Sequence, residues 1–232
     1  MAAFLLPKPW DEQGALTVMS NIIEFNATAH DAQAGLHCWL CQNPISLRAL
    51  FCHHCGSIQP VRQMDHFTRL GLESRIDIDI ELLEKQYMSF KRSLDPTRFA
   101  VRGSGERGHA AGQNEALDQA YETLREPVSR GRYWLLLHEG EIDNREVSNP
   151  VVVELRNELE SAEVASQCDR IAQKAGQAME QVILGFMQAL RGENWQQASA
   201  TLVELDGLES ILKNIHGRRA QLASDGGDSR GS

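Results

Sequence analysis

The chain has 232 residues, 42% of them hydrophobic, enough for one to three small domains with cores of their own. Lys and Arg number 23 against 32 Asp and Glu, and the resulting net charge of −9 argues against a general nucleic-acid binder. No apolar run approaches the roughly eighteen residues that a membrane-spanning helix needs, so no membrane partner is expected.

Residues 1–34 show no sustained period and read as a loosely ordered extension. They carry one base, Lys8, and four acids, Asp11, Glu12, Glu24 and Asp31. A mitochondrial transit peptide is Arg-rich and acid-poor, and a secretory signal has an apolar core behind a basic start. Neither pattern is present. The expected setting is a reducing compartment, a bacterial cytoplasm, with a mitochondrial matrix as the alternative.

Residues 35–61 hold four of the five cysteines. In "CWLCQNPISLRALFCHHCG", Cys38 and Cys41 form one C-x-x-C pair and Cys52 and Cys55 another, with ten residues between them. Four thiolates on two tight turns meet the tetrahedral demand of a structural zinc ion, and a complete set of four leaves no open position for catalysis. Redox C-x-x-C pairs sit in βαβ contexts, which this region lacks. His37, His53 and His54 are near enough to ligate, but the four cysteines already fill the shell.

From residue 79 the pattern turns helical. Ile80, Leu83, Tyr87, Phe90 and Leu94 recur at steps of three and four, with Asp79 as an N-cap. Asp95-Pro96-Thr97 ends that helix. Residues 100–114 are glycine-rich and read as a mobile loop. Gly103 to Gly108 spell G-x-G-x-x-G, but the strand that a phosphate-binding fingerprint requires in front of it is missing. A second helix carries Leu117, Ala120, Tyr121 and Leu124 and ends at Pro127. A third apolar segment covers Tyr133 to Leu137, and "HEGEIDNREVSNP" forms a polar boundary.

Beyond Pro150 the stripes are long. Val152, Leu155, Leu159 and Ala162 form one; Ala165, Cys168, Ala172, Ala175, Met179, Val182 and Phe186 form another. After Gly192 and a capping Asn194, a third stripe runs Trp195, Ala198, Leu202, Leu205, Leu212 and Ile215. Such stripes bury one another in an antiparallel three-helix bundle. Cys168 reads as a buried structural thiol. Residues 223–232 read as a disordered tail. The expectation is thus a mainly α protein with no internal repeat: knuckle 35–61, helical domain 62–142 and bundle 146–222.

The run "DHFTRLGLESRIDIDIELLEKQYMSFKRSLDPTRF", followed by "NEALDQAYETLREPVSRGRYWLLLHEGEI", resembles a J-domain of the HscB family of iron–sulfur co-chaperones. Asp65, Phe67, Leu70 and Gly71 fit that family's opening. Ala120, Tyr121, Thr123, Leu124, Pro127, Ser129, Arg130, Tyr133 and Leu135 to His138 fall on its second-half motif. A four-cysteine knuckle in front resembles the longer members. The resemblance covers roughly residues 36 to 220 and implies an adaptor that is not an enzyme. Its J-domain would dock a DnaK/HscA-type ATPase, and its C-terminal bundle would hold an IscU-type iron–sulfur scaffold.

The family's His-Pro-Asp falls on Asp95-Pro96-Thr97, where only the proline matches. Chaperone contact is expected from these three residues with Lys91, Arg92 and Arg98, a basic cluster (with Lys85) inside an acidic protein that could steer an acidic partner. Scaffold contact is expected from Val153, Glu154 and Asn157 on the helix "VVVELRNELESAE", with Leu155 and Leu159 buried instead. Two other readings stand beside this one. A divergent J-like protein would bind a scaffold or client without stimulating an ATPase. A zinc-dependent regulator or nucleic-acid reader is disfavoured by charge, since Arg48 is the one base between the cysteine pairs.

Overall fold

The computed structural model describes residues 36–138 and 149–228. The extension 1–34 and most of the polar boundary lie outside them. Among the described residues the chain is helical, with no strands beyond two isolated antiparallel bridges, His37 with Pro44 and Phe51 with Ile58. The chain divides into two compact units between Arg130 and Gly131. The division falls inside a helix, ahead of the 142–146 boundary expected from the sequence.

The first unit contains the four-cysteine segment and then α1 (His66–Leu70), α2 (Ile80–Ser93), a 3-10 turn (Pro96–Phe99), α3 (Ser104–Arg125) and the start of α4 (Pro127–Leu137). Asp65 caps α1 through the Thr68 N–H at 2.8 Å, and Gly71 closes it in the left-handed region at φ 69°. Asp79 caps α2 as expected, accepting from Leu82 N–H at 3.1 Å. Helices α2 and α3 run antiparallel. Tyr87 stacks on Tyr121 at 4.0 Å, Lys91 meets Asp118, and Asn114 donates to the Leu94 carbonyl at 2.9 Å. Phe67, Leu70, Leu83, Leu94, Leu117 and Leu124 are among the buried side chains of these elements. Arg130 is buried too, and its guanidinium donates to the carbonyls of Ile76 and Leu124 at 2.9 and 2.6 Å, closing the ends of two segments.

The glycine-rich stretch is a helix from Ser104 onward, not a loop. Glycine usually weakens a helix interior, but here it lets another segment approach. A Cβ on Gly105 would lie 3.5 Å from the Trp39 ring, and one on Gly112 would lie 3.2 Å from Val61 Cγ2. Gln113 completes the contact by donating to the carbonyls of Gln59 and Pro60 at 3.0 and 3.1 Å.

The second unit holds the remainder of α4, then α5 (Pro150–Glu160), α6 (Ala165–Arg191) and α7 (Trp195–Asp228). Pro150 opens α5, with Asn149 accepting from the N–H groups of Val151 and Val152 at 2.9 and 3.3 Å. Gln167 reaches back to the N–H groups of Glu163 and Val164 at 2.6 and 3.1 Å, which starts α6. Between α6 and α7 the left-handed residue is Glu193 at φ 52°, while Asn194 caps α7 through Gln197 N–H. Val152, Leu155, Leu159, Cys168, Ala175, Val182 and Phe186 are buried as the stripes predict. On α7 the buried set is Ala198, Thr201, Leu205, Leu208, Ile211 and Ile215, so Thr201 and Ile211 take the places assigned from sequence to neighbouring Leu202 and Leu212, and Leu208 fills the gap left between Leu205 and Leu212. Helix α7 continues to Asp228, into the segment read as a tail. No proline interrupts it there.

Candidate functional site

The two cysteine pairs form two copies of one turn. Gln42 N–H donates to Cys38 O at 3.0 Å and Cys38 N–H to Asn43 O at 2.8 Å; fourteen residues on, Gly56 N–H donates to Cys52 O at 2.8 Å and Cys52 N–H to Ser57 O at 2.9 Å. The residue after each second cysteine is left-handed, Gln42 at φ 60° and Gly56 at φ 69°. The segment therefore does contain a backbone repeat. Its side chains differ so much that the amino-acid pattern hides it.

These turns bring Cys38, Cys41, Cys52 and Cys55 together, with all four sulfurs within 4.8 Å of one another. Cys38 to Cys55 is 3.7 Å and Cys41 to Cys52 is 3.6 Å. A tetrahedral ion with sulfur bonds of about 2.3 Å requires edges of about 3.8 Å. The donor set therefore fits one tetrahedral metal ion. Polar neighbours prepare the sulfurs for negative charge: Ser57 Oγ lies 3.3 Å from Cys38 Sγ and 3.1 Å from Cys55 Sγ, and Asn43 and Gln59 amides donate to Cys41 and Cys38 at 3.4 Å.

Burial alone would push the Cys38 thiol up, but hydrogen bonds from Cys41, Ser57, Leu40 and Gln59 outweigh it and bring the group down to about 5. At Cys52 the Cys55 backbone lowers the thiol, but burial and the adjacent Cys41 and Cys55 carry it up to about 11. Four sulfurs this close cannot all ionise unaided. A divalent cation bound among Cys38, Cys41, Cys52 and Cys55 would remove the repulsion and hold all four as thiolates.

A second feature is the turn after α2. Asp95 Oδ1 accepts from the Thr97 N–H at 2.9 Å and from the Thr97 hydroxyl at 2.8 Å. The Thr97 hydroxyl first, its N–H next and then Arg98 hold the Asp95 carboxyl below the usual carboxylate range. Asp95, Pro96, Thr97 and Arg98 are all exposed, while Phe99 is buried beneath them. Arg98 donates to the Arg92 carbonyl at 3.3 Å, and Arg92 itself is exposed on α2. Lys91 is otherwise engaged: its ammonium bonds both oxygens of Asp118 at 2.9 and 3.1 Å, and Tyr87 donates to the same carboxylate.

In the second unit, Val153, Glu154 and Asn157 are exposed together along α5 and line an open groove with Pro150, Glu158 and Ser161. Glu158 pairs with Lys174 at 2.7 Å. Ser57, Gln59, Trp39 and Phe51 were not read as site residues from the sequence. The signal for the first two was their place within two and four residues of the last cysteine pair.

No family model matches the chain. An iron–sulfur cluster co-chaperone protein, the HscB homologue of Arabidopsis thaliana, is 26% identical over 203 residues, covering 83% of this chain and 80% of that one. The co-chaperone HscB of Proteus mirabilis is 27% identical over 162 residues, covering 66% of this chain and 94% of the bacterial protein. Among solved structures, human HscB shares the fold with a TM-score of 0.66 at 21% identity, covering 79% of this chain and 98% of the human one. HscB from Vibrio cholerae gives 0.54 at 23% identity over 68% of this chain and 99% of its own length. The chain is a homologue of the HscB co-chaperones, mainly helical like them, and its four-cysteine cluster fits a zinc knuckle.

Proposed function

We propose that this chain is a co-chaperone of iron–sulfur cluster assembly that joins a DnaK/HscA-type ATPase to an IscU-type scaffold. The observation that carries this reading is the match to the Arabidopsis co-chaperone along 83% of the chain. The exposed turn at Asp95-Pro96-Thr97, with Arg92 and Arg98 beside it, is the surface for the ATPase. The groove at Val153, Glu154 and Asn157 is the surface for the scaffold. Lys91, tied to Asp118, stiffens the α2–α3 pair and positions that surface from behind. Neither surface offers covalent chemistry, so the chain works as an adaptor, in a bacterial cytoplasm or a mitochondrial matrix. A pull-down from native lysate tests the reading: recovery of both a scaffold and a DnaK-type chaperone supports it, and recovery of neither contradicts it.

A second reading has one observation in its favour. The Asp95 carboxylate is closed onto Thr97, which leaves the turn with a neutral hydroxyl where the family carries a carboxylate. On that reading the chain binds a scaffold or client without stimulating an ATPase.

The knuckle's metal is zinc, held for structure by Cys38, Cys41, Cys52 and Cys55. Protein purified without chelator is expected to contain one zinc per chain, and Cys168→Ser, buried on α6, should leave that ratio unchanged. Metal-free protein with four freely titrating thiols would contradict the assignment. On α5, Glu154→Lys is expected to weaken scaffold binding by calorimetry while leaving the thermal midpoint nearly unaltered, since an exposed charge swap rarely costs more than about 0.5 kcal/mol. Unchanged scaffold affinity would move the contact elsewhere.

A further inference from the structure

Two side chains of the knuckle reach out of the cysteine cluster, one to the docking turn itself and one to the helix that follows it. Phe51, adjacent to Cys52, stacks parallel to Phe99 with ring centroids 6.5 Å apart and planes 3° apart. Phe99 is the last residue of the 3-10 turn that carries Pro96 and Thr97, and it is only 7% exposed. Trp39, between Cys38 and Cys41, meets His109 edge-on at 5.0 Å, covers the glycine face of α3 at Gly105, and is fixed by donating its indole N–H to the Ile58 carbonyl at 2.7 Å. The turn and the first half of α3 therefore share one support.

That support has little apolar core of its own. Cys38, Ile45 and Cys52 are its buried cluster, with Leu36, Cys41 and Ala49 packed around them, and Ile58 is the one other buried apolar side chain among residues 36–61. Small four-thiolate segments draw much of their folding free energy from a bound metal. The Tyr87–Tyr121 stack and the Lys91–Asp118 pair, by contrast, join α2 to α3 without any knuckle residue.

We propose that the knuckle is a brace for the docking turn, with Phe51 as the positioning residue, so that metal occupancy and the order of residues 95–112 rise and fall together. The importance of that turn rests on the co-chaperone reading above; the brace is a property of the chain alone. Loss of the metal frees Phe51 from Phe99 and Trp39 from α3, while the distal half of α3 keeps its partners. The device makes the shape of the turn responsive to conditions that strip metal from thiolates.

Hydrogen–deuterium exchange on the full chain tests this without any partner. Three samples are compared, all with measured zinc content: zinc-loaded protein, the same protein after chelation under reducing conditions, and zinc-loaded Phe51→Ala. Amides in 97–112 are expected to exchange roughly three- to tenfold faster in Phe51→Ala, the worth of one aromatic pair, and faster still after chelation. Amides in 165–191 should not change, and Phe51→Tyr, which keeps the ring, should restore protection. If Phe51→Ala fails to hold zinc, the chelated sample decides. Unchanged protection at 97–112 after zinc removal overturns the brace, as does a loss of protection spread equally through 165–191. A chain that recruits no ATPase would leave this result untouched, so the two ideas fail separately.

Discussion

The double variant Asp95→His with Thr97→Asp is expected to engage a DnaK-type ATPase roughly ten- to a hundredfold more tightly than the unmodified chain, with a matching gain in stimulated hydrolysis at limiting concentration. The gain is that of one charge-assisted hydrogen bond at an interface, about 1.5–3 kcal/mol. Neither single change should deliver it. Thr97→Asp alone sets a second carboxylate where a hydroxyl now lies 2.8 Å from Asp95 Oδ1, and two like charges at that distance force the turn apart. Asp95→His alone removes the group that caps the turn and supplies no carboxylate in exchange. The residues act as a unit, so their effects will not add. Strong stimulation by the unmodified chain, with no gain in the double variant, would mean that the partner is matched to Asp-Pro-Thr.

The second large effect is expected at Gly131, where the last part of α4 lies on α6. A Cβ there would sit 2.5 Å from Phe186 Cε1 and 2.8 Å from Leu190 Cδ1, and both of those side chains are fully enclosed. Neither can swing aside. Arg132, next along α4, pairs with Asp206 and lies 3.4 Å from Glu209 on α7, which holds the helix against any shift that would relieve the clash. Gly131→Ala should therefore destabilise the bundle by about 1–3 kcal/mol despite the better helix propensity of alanine. Gly176→Ala on α6 is the comparison. No atom lies within 4 Å of its added Cβ, and the same substitution there should stabilise by about 0.5–1 kcal/mol. Equal thermal midpoints for the two variants would contradict the packing described.

The sequence signals that held share a simple origin: each depends on contacts close along the chain. Asp79, Asn194 and Pro150 act within one helical turn of themselves, and all three stand where their chemistry places them. The C-x-x-C pairs likewise announce local turns, and the four sulfurs converge because the two turns have the same geometry. The glycine-rich stretch failed for the opposite reason. Gly105 and Gly112 are small because Trp39 and Val61, distant in sequence, lie against them, and composition alone cannot separate that requirement from flexibility.

The place of Leu208 and Ile211 on the buried face of α7 has a similar cause. Gly207 lets Val152 of α5 come so close that an added Cβ would lie 2.7 Å from it, and the buried face follows that approach. At the turn Asp95-Pro96-Thr97, the departure from His-Pro-Asp was legible, but the mutual bond of Asp95 and Thr97 was not. Nor was the engagement of Lys91 by Asp118, because that pair forms only once α2 and α3 are side by side.

If one chain joins an ATPase to an iron–sulfur scaffold, as proposed, steady-state ATP hydrolysis by the chaperone will register it. A DnaK/HscA-type chaperone is measured with the IscU-type scaffold, with this chain, and with both. Weak stimulation is expected from either alone, and with both a rate that exceeds the sum, because delivery raises the scaffold's effective concentration at the chaperone. A rate with both no higher than with the scaffold alone, at chain concentrations that saturate the scaffold by calorimetry, would contradict it.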